Sequence, residues 1–395
     1  MTIRNVDLSF RCLRHAGVGL VLASGCVASV GGGGDDHGAT VDGSVADSTV
    51  DVPAGKFNEG DPFDYSLVDK PSQMVSTILT ELGYATSTAP RAVAVNPDGL
   101  GYVSVQPGAT TNDVARSALQ ACFVIGGGKP CALLAVGSTF QIGANALAQP
   151  SNFVSTLAKP AALTDIPFVA DSVRTGALAQ YTAKSGAKAI AVGFDGTAVF
   201  VPDAQPVDSI GTQAEANRLA LERCEMQSIN APCTLFAAGN TVVLDPTSMQ
   251  WTAAIDYTRT TVQTNVPGMT VANYNAHMAP YLTGVTQGSQ GVTYIAEDGD
   301  GGNAWTTSQA AADTEALGFC NQTVGAGAKC FRYAINKSVV MSPSNLDAIR
   351  NHSLALHCSA MPRQDCATHK AMGCTTSGAY YTTHAGGVRL ETCSF

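Results

Sequence analysis

The sequence predicts an α+β protein. It would consist of three tandem ββαββ modules, each an antiparallel sheet with helices and one disulfide, followed by a small disulfide-rich C-terminal cap. Three observations predict this. Residues 216–244, ANRLALERCEMQSINAPCTLFAAGNTVVL, have a counterpart on either side, so that cysteine pairs recur as Cys122/Cys131, Cys224/Cys233 and Cys320/Cys330. Each pair is preceded by an apolar run ending in Asp-Gly, at Asp98-Gly99, Asp195-Gly196 and Asp298-Gly299. Each pair is followed by two apolar runs that flank Gly137-Ser138, Gly239-Asn240 or Asn336-Lys337. Strand, turn, strand, helix, strand, turn and strand is the order these signals impose.

Residues 1–25 read as an export leader. Arg4, Arg11 and Arg14 precede a short apolar run over residues 16–23, too short to span a bilayer, which needs about 20 apolar residues. The run ends in Ala23-Ser24-Gly25-Cys26. This resembles the lipobox of bacterial outer-membrane lipoproteins, in which small residues precede an invariable cysteine. The resemblance implies cleavage before Cys26 and acylation of that cysteine. The membrane, reached through the lipid on Cys26, would then be one partner, because several acyl chains hold a protein stably where one is marginal. With Val27 and not Asp after the cysteine, the resemblance implies sorting to the outer membrane, facing the periplasm or the cell surface.

Residues 26–62 form an acidic, Gly-rich tether. Gly31 to Gly34 and scattered Asp, with few large apolar side chains, favour a flexible spacer. Asp35, Asp36 and His37 within it are read as solvated linker and not as a cation site.

The modules occupy residues 63–150, 151–250 and 251–345. In each, Asp-Gly between strand-like runs predicts a type I′ hairpin. A helix follows, with Ala118, Ala220 and Ala316 four residues before the first cysteine and Leu119, Leu221 and Leu317 three before it, read together as the buried stripe. The paired cysteines would tie the helix end to the next strand. A second helix, upstream, is expected to open on Pro71, Pro167 and Pro267. Successive prolines lie 96 and 100 residues apart, a period long for a solenoid and suited to tandem small domains. The A-x-x-x-A-L-x-x-C pattern with its second cysteine resembles small exported bacterial disulfide modules of unknown function. That resemblance carries over no catalytic residue.

Residues 346–395 form the cap, where Cys358, Cys366, Cys374 and Cys393 lie among His352, His357, His369 and His384. Cys12 lies in the leader and Cys26 is committed to lipid, so ten of the twelve cysteines remain. An even number in an oxidising compartment reads as five disulfides, two of them in the cap, and not as metal ligands. Tyr380, Tyr381 and the terminal VRLETCSF suggest a short hairpin there.

Composition limits the function. Net charge is −9, which argues against nucleic acid as a partner, since phosphate contacts need a basic face. Only 13% of residues are charged against about 25% in ordinary domains, so the surface is rich in neutral polar groups. Gly126 to Pro130, GGGKP, lacks the Ser or Thr that follows Lys in a phosphate loop. Residues 297–303, EDGDGGN, carry three carboxylates but miss the spacing of a calcium loop. No nucleophile elbow and no H-E-x-x-H occurs. The expected function is therefore an envelope surface lipoprotein with a binding, adhesion or structural role, taking a protein or polysaccharide ligand without cofactor or metal. The alternative is a hydrolase of an envelope or secreted polymer, its site at the C-terminal histidines or in a groove between modules.

Overall fold

The computed structural model describes residues 56–346, apart from 69–74, 77–78, 81–82, 100, 107, 203–209, 229–232, 247–248, 250–253, 325–328 and 343–345, and the backbone of 378–384 and 387–393. Cys26, Cys358, Cys366, Cys374, His352, His357 and His369 lie outside the described residues.

The three modules share one topology. Strands β1 (Arg91–Val95), β2 (Gly101–Val105), β3 (Ala132–Val136) and β4 (Thr139–Phe140) form an antiparallel sheet in the order β2-β1-β3-β4. Module 2 repeats the order with β5 (Ala189–Gly193), β6 (Ala198–Val201), β7 (Cys233–Ala238) and β8 (Thr241–Val242). Module 3 repeats it with β9 (Gln290–Ala296), β10 (Gly301–Thr306), β11 (Cys330–Ile335) and β12 (Ser338–Val339). The cysteine-bearing helices are α1 (Thr111–Ile125), α3 (Gln213–Gln227) and α5 (Gln309–Thr323). The upstream helix of module 2 is α2 (Asp171–Ala183). That of module 3 is α4 (Ala279–Thr286), entered through a π-helical turn at Tyr274–Met278. Pro280 has no N–H to donate, which accounts for the widened turn just before it. Near the C-terminus, β13 (Gly378–His384) and β14 (Gly387–Cys393) pair as the expected hairpin, with Cys393 opposite Gly378.

Alternation along the strands makes each sheet a central layer. In module 3, Val292, Tyr294 and Ala296 face α5, while Ile295 and Phe331 face Tyr281 of α4. Each cysteine helix starts on a hydroxyl cap twelve residues before its cysteine: Thr110, Thr212 and Ser308 each accept a backbone N–H of the first turn. Its buried edge falls eight and four residues before the cysteine and at the cysteine itself, as in Val114, Ala118 and Cys122 or Ala312, Ala316 and Cys320. The leucines behave otherwise than expected. Leu119 and Leu221 are half-buried and Leu317 is 36% exposed, because a period of four turns the preceding alanine inward and the leucine to the side.

The disulfides Cys122–Cys131, Cys224–Cys233 and Cys320–Cys330 each tie the end of a helix to the start of a strand, with Cα atoms 6.1–6.2 Å apart. Both sulfurs of the middle pair are buried. Replacing Cys224 and Cys233 with serine is expected to lower stability by about 2–3 kcal/mol, read by chemical denaturation, since a loop of this length loses roughly that much closure entropy when unfolded.

Two local expectations are corrected. The Asp-Gly hairpins are not type I′, because only the glycine takes a positive φ (77° at Gly99, 94° at Gly196, 91° at Gly299). They are three-residue loops, in which the glycine N–H bonds back three residues to Asn96, Gly193 or Ala296. Glycine supplies the left-handed position that follows a type I turn. Asp195 and Asp298 accept the N–H two residues on, at Thr197 and Asp300, which fixes the turn and explains why the aspartate repeats. Pro167 and Pro267 do not open the upstream helices either, and Pro71 lies outside the described residues. Pro167 and Pro267 lie four residues before Asp171 and Val271, and the residues after them, Phe168 and Gly268, are left-handed at φ 68° and 71°.

Module 1 begins before residue 63. Phe57 is buried and stacks on Phe140 at 4.0 Å, and the Gly60 N–H donates to Phe140 O. One apolar cluster runs from module 1 into the face of module 2 that carries Ile190, Val192 and Phe236.

Candidate functional site

The most elaborate polar chemistry among the described residues lies where one module meets the next. At the first joint, α1 grips the segment that enters module 2. Asp113, Arg116 and Gln120 lie on one face of α1, three and then four residues apart. Asp113 accepts from the Asp171 N–H (3.2 Å), Arg116 donates to Val169 O (2.8 Å), and Gln120 Oε1 accepts from the Phe168 N–H (2.8 Å). Gln106 Nε2 completes the hold on Phe168 O at 3.1 Å.

The second joint repeats the device at the same offsets. Glu215 accepts from the Val271 N–H (2.7 Å), Arg218 donates to Met269 O (2.9 Å), and Glu222 accepts from the Gly268 N–H (2.8 Å). Arg223, fully buried, donates from Nε to Gly268 O in place of Gln106. Glu225 takes the Ala254 and Ile255 N–H groups, and Gln227 donates to Glu297 O of the next hairpin. In module 3 the corresponding positions are Ala311, Thr314 and Gly318, which carry no such set. The grip therefore belongs to the two helices that are followed by another module.

The joints differ in electrostatics. Burial pushes Asp113 up, but bonds from Thr110, the Asp171 N–H and Arg116 outweigh it and hold the carboxyl down at about 2. Glu222, 7% exposed at its side chain, goes the other way. Burial outweighs Arg218, 2.6 Å away, and the Gly268 N–H, and raises the group to about 7. Glu297 is likewise raised to about 7, by burial first and by Asp298 after it, against Lys329.

Small clefts open at both joints. One of about 230 Å³ lies beside Phe200, Pro202, Arg223, Gln227 and Asp298; another of about 230 Å³ lies beside Arg116, Gln120, Lys159, Asp165 and Arg174. At the first joint Tyr102 packs edge-on against Phe194 at 5.3 Å. Register places Val199 of module 2 and Glu297 of module 3 at the equivalent positions.

No known protein family, characterised protein or solved structure matches this chain.

The other candidate residues are structural where they are described. Gly126 of GGGKP caps α1, and Lys129 pairs with Asp98 of the first hairpin. Asp298 and Asp300 of the acidic stretch lie in the third hairpin turn. Among the described residues no three His, Cys, Asp or Glu side chains gather to hold a metal, and no helix is long and apolar enough to cross a membrane. Sequence reading missed the gripping residues, although acid, arginine and Gln or Glu at nine, six and two residues before the first cysteine could have revealed them.

Proposed function

We propose that the chain is a lipid-anchored protein of the bacterial outer membrane that acts by binding, adhesion or architecture and not by catalysis. The lipid sits on Cys26, the acidic Gly-rich stretch after it forms the spacer, and the joined modules present a surface to a protein or polysaccharide. The observation that carries this reading is how the repeated polar residues are used. Asp113, Arg116 and Gln120, and Glu215, Arg218 and Glu222, are engaged in bonds between modules. Chemistry of acid–base type would need such groups turned toward a reacting molecule.

The full chain is expected to co-sediment with isolated envelope polymer and to release no soluble fragments from it. Release of many fragments per protein molecule would replace this reading with the hydrolase. In an expressing bacterium, labelled palmitate is expected to enter the wild type and not Cys26→Ser. Label retained in that variant would remove the anchor from the proposal.

A further inference from the structure

We propose that the joint between modules 2 and 3 is a proton-operated hinge, held most firmly in acid and loosened as the carboxyls of Glu222 and Glu297 lose their protons. The joint between modules 1 and 2 stays fixed over the same range.

The two joints share a geometry and differ in what occupies it. At the position two residues before the helix cysteine, module 1 offers Gln120 and module 2 offers Glu222, and each accepts the N–H of the left-handed residue entering the next module. Gln120 is neutral at every pH; Glu222 is not. At the first residue of the hairpin loop that meets the preceding module, module 2 carries the buried Phe194 and module 3 carries Glu297. The second joint thus holds the Glu222 carboxyl where the first holds an amide, and the loop whose carbonyl meets Gln227 carries Glu297 where the equivalent loop of module 2 carries a phenyl ring.

Neither carboxyl is free of neighbours. Arg218, Arg223 and Glu225 lie beside Glu222 on its own helix, Arg259 faces it from the incoming segment, and Tyr333, which in turn neighbours Tyr274, faces it from β11. Glu297 faces Lys329 and Asp298, with Gln227 of α3 on its carbonyl. Arg218, Arg259 and Lys329 favour ionisation, yet burial prevails, and both carboxyls stand near 7 against an ordinary 4.5.

The sign follows from proton binding. Between 4.5 and about 7 the closed joint keeps protons that an opened, hydrated joint releases, so each rise in pH favours opening. Below this window both states are protonated, and above it both are ionised. Complete hydration of one such carboxyl changes the opening constant by up to about 300-fold across the window. Asp113, held at about 2, stays ionised throughout and gives the first joint no slope.

Amide hydrogen exchange on the full chain at pH values of about 5.5 and about 8, corrected for intrinsic exchange, tests the hinge. Protection of the Gly268 and Val271 amides is expected to fall by about tenfold or more at the higher pH, while the Phe168 and Asp171 amides change by less than about twofold. Glu222→Gln, which installs the residue of the first joint, is expected to remove most of the difference, and Glu222→Gln with Glu297→Gln to remove the rest. Unchanged protection at Gly268 in the wild type, or an equal response at both joints, would overturn the proposal without any variant. A slope that survives in the double variant, with exchange elsewhere as in the wild type, would also overturn it.

Discussion

Gly302→Ala is expected to destabilise module 3 by about 3 kcal/mol or more, enough to abolish its cooperative folding while module 1 keeps its own transition. A Cβ on Gly302 would strike Ala316 O and the Cys320 N of α5, closer than any real Cβ contact. Those atoms are helix backbone, and Cys320 is fixed by its disulfide, so neither can swing aside. The neighbouring modules show why glycine stands there. Register pairs Ala94 with Tyr102, Ala191 with Val199, and Tyr294 with Gly302. In module 1 the bulk of the pair is on the second strand, and in module 3 it is on the first. Tyr294 fills the space under α5, and its hydroxyl bonds to Asp313. With that volume spent on β9, the helix backbone settles directly onto β10. A double replacement, Tyr294→Ala with Gly302→Val, is expected to recover part of the loss by restoring the arrangement of module 2. Thermal unfolding followed by a probe in module 3 reads both effects, and an unchanged transition in Gly302→Ala would mean that α5 does not lie this close.

Much of the fold was legible because local chemistry and tertiary packing agree in it. The Asp-Gly and Gly-Ser, Gly-Asn or Asn-Lys pairs mark the hairpins, and the constant cysteine spacing marks the helix that each disulfide closes. The turn class was misread because Asp-Gly serves more than one tight hairpin; the deciding constraint is that only Gly99, Gly196 and Gly299 take the left-handed φ. The inward side of the helices was misread because leucine is the more apolar residue, whereas close packing on a sheet selects alanine at the point of contact. The joints were not legible as joints. Asp113, Arg116 and Gln120 look like an ordinary solvated helix face, and their partners are backbone groups more than 40 residues away, which leave no mark in side-chain pattern. The shared core that links modules 1 and 2 was hidden for the same reason, since Ile190 and Val192 fit a one-module sheet equally well.

Arg218→Ala is expected to weaken the second joint by up to about 1.4 kcal/mol more at a pH of about 8 than at about 5.5. Arg218 lies 2.6 Å from Glu222 and also donates to Met269 O. Its removal leaves a buried carboxylate with the Gly268 N–H at 2.8 Å and Arg259 as its remaining favourable neighbours. An ionised group in that setting is costly, because its loss of hydration is no longer offset by a close cation. The folded carboxyl then rises further above its ordinary 4.5, so the penalty grows as the pH climbs through the raised value and fades in acid, where the group is protonated in both states. Two origins of the loss are separable. If it comes from the stranded charge, Arg218→Ala with Glu222→Gln recovers most of it at the higher pH and has no pH slope. If it comes from the missing bond to Met269 O, the loss of Arg218→Ala relative to the wild type is the same at both pH values. Arg116→Ala supplies the comparison at the first joint, where Gln120 carries no charge to strand. There the expected loss is about 1–2 kcal/mol over the same pH range, from the bond to Val169 O and the contact with Asp113. Chemical denaturation of the four proteins at both pH values decides between these origins. A pH-independent loss in Arg218→Ala would show that Glu222 does not hold its charge inside the joint.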